Sequence, residues 1–350
     1  MPAISAADAI SPAIERTKKF LFNPFEWGTY LKLCLVAVVT EGLGGNFGGS
    51  SGSHSSGNGP GSPASPIHFS PLWIAVIVGG SLLLILLGVV VAYLITRLRF
   101  AFFHCLIHNS KEIRPGWRLY QSQAMRFFLL NLAVGFCFLL VVVLVALPFV
   151  AGFWRLFHDT PPGGRPDFAL LLALILPLIP IFIVIVLAGI IVDLILRDLM
   201  MPHYALADAT AGQAWASVWS AIKAEKGQFF VYALLRLILP ILAMIALFVI
   251  LIIPGLLFLG ISAIVEVGIH SAFAGATGAA AVAGICLQVF VGAVALGLAM
   301  LVGICLGGPI STAMREYALI FYAGRYKALW EVLFPPPPLL PVTLDAPQIS

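Results

Sequence analysis

Six long apolar stretches divide this chain, and each approaches the length at which a helix crosses a bilayer. They run from about 27 to 43, 72 to 96, 127 to 150, 168 to 196, 237 to 260 and 281 to 308. A hydrocarbon core about 30 Å thick takes roughly 20 apolar residues as a helix. In lipid every backbone polar group needs an internal partner, so such stretches become helices. With 61% hydrophobic and 10% charged residues, the chain has too little polar surface to dissolve as a globule. The expected fold is an all-α polytopic bundle of six transmembrane helices.

Charge placement gives the expected orientation. Of 19 Lys and Arg, all but Arg155 and Arg165 lie before the first stretch, just inside it at Lys32, or in alternate gaps. Lys and Arg resist translocation, which predicts that these gaps and both chain ends face the cytoplasm. The basic residues adjoin the spans and have anionic lipid headgroups as their nearest counter-charge, not nucleic acid. Arg16, Lys18 and Lys19 precede the first stretch as in a signal peptide. No small-residue cleavage motif follows, and the segment is expected to be retained.

The outer and inner connections differ in kind. Residues 44 to 71 are a Gly/Ser/Pro tract expected to be a flexible outer loop, and residues 335 to 350 open with four prolines and are expected to be disordered. The inner segments carry helical signals. Thr210 and Gln213 have capping-box spacing, Trp215, Val218, Trp219 and Ile222 follow a helical period, and Gly227 is the expected stop. Pro115 opens a second amphipathic segment with Trp117, Tyr120, Ala124 and Phe128 on one face, and Ser11-Pro12 opens a third bearing Ile14, Thr17 and Leu21. Trp117, Trp215 and Trp219 are the residues expected to meet lipid headgroups or a partner. Each segment precedes an odd-numbered stretch, which suggests three diverged hairpin units.

Arg197-Asp-Leu-Met-Met-Pro-His-Tyr, then Ala214-Trp215, then Gly227-Gln-Phe-Phe-Val-Tyr232, resembles uncharacterised bacterial multi-pass proteins related to the membrane domain of some glycerophosphodiester phosphodiesterases. Pro309 to Tyr326 is similar to the closing segment of that group. The resemblance spans about residues 10 to 334 and implies a membrane domain in the bacterial cytoplasmic membrane. The chain has no room for a phosphodiesterase barrel of about 250 residues, so that activity does not carry over.

Few residues offer chemistry. His104 and His108 are spaced to share a metal but lack a third ligand nearby, and Arg99, Lys111 and Arg114 flank them, so no metal or cofactor is expected. The five cysteines show no CxxC spacing and read as small apolar fillers. Glu266 and His270 form an i, i+4 pair beside the outer end of the fifth stretch and read as exposed loop residues. No nucleophile elbow supports a hydrolase. Asp193 lies one turn before Arg197, which predicts a boundary ion pair; a sharper reading makes it a proton or cation site with Arg236, His203 or Asp198. Two classes therefore remain. One is a non-catalytic scaffold or accessory protein that contacts lipid, a membrane-protein partner or a second copy through its cytoplasmic face; the other is a small-molecule or ion transporter using Asp193.

Overall fold

The computed structural model describes residues 4–43, 71–158 and 168–335, and among them every regular element is helical. The loop expected at 44–71 and the tail expected at 335–350 lie almost wholly outside these residues. Five helices are long and apolar enough to cross a membrane: α3 (Pro71–His108), α5 (Gln121–His158), α6 (Phe168–Leu194), α9 (Lys226–Ala272) and α10 (Ala279–Ala323). No residue in the most apolar window of any of them is buried. That is how a helix looks when its partner is lipid.

Burial is concentrated at one end. The core gathers Phe100, Phe103, Phe127, Tyr204, Tyr232 and the run Tyr317–Ala323, all from the ends of long helices or the short helices between them. The short helices are α1 (Ile10–Phe22), α2 (Trp27–Val38), α4 (Ile113–Leu119), α7 (Met201–Ala207), α8 (Ala211–Ala224) and α11 (Lys327–Leu333). The first and last described helices meet here, because the Arg16 guanidinium on α1 donates to the Leu333 carbonyl on α11 at 3.2 Å.

Trp27–Leu43 differs from the crossing expected there. It forms α2 and a π-helical turn, Val39–Leu43, in which Thr40 Oγ1 donates back to the Val36 carbonyl. Its last turn lies at the packed end, where Arg99 Nε donates to the Thr40 carbonyl at 3.1 Å. Arg99 is 28 positions along α3 from Pro71, roughly 42 Å at 1.5 Å per residue. α2 therefore belongs to the packed end, where it buries Tyr30, Leu33, Cys34, Val36 and Ala37.

The long helices also outrun the apolar stretches that announce them. α9 begins at Lys226 and α10 ends at Ala323, whereas hydropathy alone places these ends near 237 and 308. The helices continue because Arg236, Arg315 and Glu316 find buried partners in the packed end. Breaks occur where the backbone reverses: Asn109 after α3 and Asp208 after α7 take positive φ of 50° and 49°. Asn and Asp tolerate that region better than other non-glycine residues.

The amphipathic segments form helices, though two present other faces than their periodicity suggests. α1 buries Ala13, Thr17, Phe20 and Leu21 and leaves Ile14 exposed. α8 buries Ala214 and Val218 and leaves both tryptophans outside. The capping box closes as expected, with the Thr210 amide donating to Gln213 Oε1 at 3.0 Å. α8 stops at Ala224, so Gly227 lies in the first turn of α9 and is not the terminator. On the α4–α5 segment Tyr120, Ala124 and Phe128 are buried as the spacing predicts.

Candidate functional site

The packed end encloses a layer of charge. Its hub is Asp198, fully buried, whose carboxylate accepts from Arg236 Nε at 3.0 Å, Arg315 Nη1 at 2.9 Å and the Tyr232 hydroxyl at 2.9 Å. Arg236 reaches on to Glu41, with Nη2 2.9 Å from Oε2. Arg197 lies 3.6 Å from Glu41, 3.5 Å from Asp198 and 3.7 Å from Asp193. Arg315 also donates to the Arg197 carbonyl at 3.0 Å. Four segments distant in sequence are thereby tied together.

Local backbone geometry makes this possible. Glu41 sits in the π-helical turn after α2, and Arg197 and Asp198 in a second one, Ile195–Met200. A π turn widens the helix and redirects side chains. Adjacent residues 197 and 198 both reach the cluster.

A further buried carboxylate pairs with α1. Glu316 is fully buried, and Arg16 Nε donates to it at 3.3 Å while the same guanidinium donates to the Leu106 and Leu333 carbonyls. Arg325 donates to Glu225 at 3.0 Å and to the Ile4 carbonyl, and stacks over the Phe321 ring at 4.1 Å.

Of the residues singled out from sequence, Asp193, Arg197 and Arg236 fall in or beside this layer. The Asp193–Arg197 pair is the i, i+4 contact expected, with 38% of the Asp193 side chain exposed. His203 joins a different group, Nε2 lying 2.7 Å from the Tyr322 hydroxyl and the ring 4.1 Å from that of Tyr326. Burial pushes the Tyr326 phenol above its ordinary pKa, which keeps it neutral there. The His104 and His108 rings lie tilted against each other with centroids 4.3 Å apart. Glu266 and His270 are both exposed, but they lie on α9, which continues to Ala272, and not in a loop.

The aromatic candidates lie at the rim. Arg97 covers the Trp117 ring at 4.5 Å and donates to the Trp117 carbonyl. Trp215 and Trp219 stack at 5.9 Å, are 46% and 44% exposed, and Lys223 lies over the second ring. Sequence reasoning missed Glu41, Arg99, Arg315 and Tyr232 as members of one cluster. They come from different stretches, and no spacing rule joins them.

Two clefts border the layer and share Asp193. One, of about 310 Å³, lies among α3, α5 and α6; the other, of about 500 Å³, also meets Glu41, Arg197 and Arg236. Both linings are mostly apolar.

Five long, apolar, outwardly exposed helices joined to a charge-stitched end define a helical protein of membrane-like architecture. The chain belongs to a family of unknown function, DUF7544, which it matches over residues 4–332. That match brings no link to the phosphodiesterase-associated domain that the Arg197–Tyr204 motif resembles. No curated protein and no solved structure matches the chain.

Proposed function

We propose that the chain is a multi-pass protein of a bacterial cytoplasmic membrane whose packed, basic end faces the cytoplasm and works as a non-catalytic scaffold or accessory module. The orientation rests on the 17 of 19 basic residues found at that end or in the gaps leading to it. Both chain ends on one side require an even number of passages. Five of the proposed six are the long helices.

The observation that carries the reading is the enclosure of Asp198. Three donors hold its fully buried carboxylate, and the Arg197 guanidinium lies 3.5 Å away. Such a group stitches helices together. The surface free for contact is the α8 rim, where stacked Trp215 and Trp219 beside Lys223 suit an anionic headgroup layer. A membrane-protein partner or a second copy could use the same surface.

The second reading, a small-molecule or ion transporter, draws on the two clefts that reach Asp193. Proteoliposomes loaded with a pH-sensitive dye separate the two. The scaffold reading expects no proton- or ion-coupled flux, and a flux abolished by Asp193→Asn would overturn it.

A further inference from the structure

Among the described residues, Arg99 is the arginine of the charged layer that makes no ion pair within 4 Å. Its residue is 8% exposed, its Nε donates to the Thr40 carbonyl, and its Nη2 is buried with no hydrogen-bond partner. Around it stand Arg197, Arg236 and Arg315 against Glu41, Asp193 and Asp198, so the layer holds four guanidiniums and three carboxylates. One positive charge is in excess, and burying a charge without a counter-ion is strongly unfavourable.

Arg99 lines the cleft of about 310 Å³ among α3, α5 and α6. The polar residues around that cleft are Thr96, Asn131 and Asp193, at its inner end; the remainder is apolar and includes Phe138 and Leu132. Gly135 and Gly189 line it too, and a Cβ added at Gly135 would meet nothing within 4 Å. A polar end carrying one excess positive charge, continued by an apolar slot beside helices that face lipid, has the shape of a phospholipid site.

We propose that this cleft binds one phospholipid, with its headgroup phosphodiester on Arg99 and an acyl chain along the slot past Gly135. The single negative charge of a phosphodiester balances the single excess positive charge. A planar guanidinium with a free nitrogen is well suited to phosphate oxygen. Asn131 supplies an amide donor at the same end, and Asp193, partly exposed, disfavours a second negative charge there. This site is separate from the α8 rim and stands whether the protein is a scaffold or a transporter.

Native mass spectrometry of the full-length protein in detergent tests it, with dioleoyl-phosphatidylglycerol as probe and inorganic phosphate as control. One lipid should bind. Arg99→Gln should weaken binding about tenfold or more, and Gly135→Leu should do likewise while keeping Arg99 in place. Should Arg99→Gln unfold the protein, Gly135→Leu decides alone, since a Cβ at Gly135 meets nothing within 4 Å. Lipid retained at wild-type affinity by Gly135→Leu overturns the proposal. So does inorganic phosphate bound as tightly as the lipid, which would make this a free-anion site.

Discussion

Asp198 and Arg236, 38 residues apart in sequence, meet at 3.0 Å with their side chains 0% and 6% exposed. Five positions before Asp198 the contact is weaker: Asp193 meets Arg197 at 3.7 Å with 38% of its side chain exposed. Two neighbouring acids on one chain segment thus do different work. Asp198→Ala strands the arginines it holds and should cost about 3–5 kcal/mol, as expected for breaking a buried pair. Asp193→Asn should cost no more than about 1 kcal/mol, as for an exposed pair. Thermal unfolding in detergent compares them, and equal losses would contradict the assignment of Asp198 as hub.

Close approach of α2 and α10 depends on Gly308. A Cβ there would lie 2.6 Å from the Cα of Cys34, so the clash is with backbone and no side-chain rearrangement relieves it. Gly308→Ala should cost about 1–3 kcal/mol, the usual range for overpacking. Trimming the partner in the double variant Cys34→Ala/Gly308→Ala should not restore the wild-type midpoint. Full rescue would show that α2 packs elsewhere.

Arg16 and Glu316 join the first helix to the last long one. Arg16→Met leaves the Glu316 carboxylate buried without its guanidinium and should be more harmful than Glu316→Gln, which removes the charge itself. The double variant should recover part of the loss. A double-mutant cycle with coupling of at least about 1 kcal/mol is expected; additivity would mean that the two do not interact.

Trp215 and Trp219 are exposed, and replacing both by Phe should shift unfolding by less than about 0.5 kcal/mol, as for surface positions. The same change should remove a large part of the tryptophan quenching seen in vesicles of brominated phosphatidylglycerol. Unaltered quenching would direct attention to a protein partner on this surface.

Apolar length revealed the five long helices, because lipid demands it of every crossing segment. Periodicity revealed α4 and α8, and the Thr210–Gln213 box marked where α8 begins. The faces were harder to read. Small residues such as Ala13 and Ala214 let helices approach closely and are buried in preference to bulkier neighbours, so Ile14 and Trp215 face outward. The charged layer was legible only as scattered residues. Lys and Arg near a span suggest a lipid interface, whereas Arg236 and Arg315 turn inward to Asp198, a choice made by tertiary proximity and by π turns that no sequence period announces.

α3 passes from the lipid-exposed region to the packed end as one helix, with no proline after its first residue. It has no joint at which to bend. A bilayer that grows thicker or thinner changes the tilt of the helices that cross it, and a stiff rod transmits that rotation along its whole length. A tilt of about 10° would move a residue 9 positions beyond the pivot by roughly 2 Å. Arg99 and Phe103 ride on this rod, so in a bilayer a change of thickness would have a mechanical route to the charged layer.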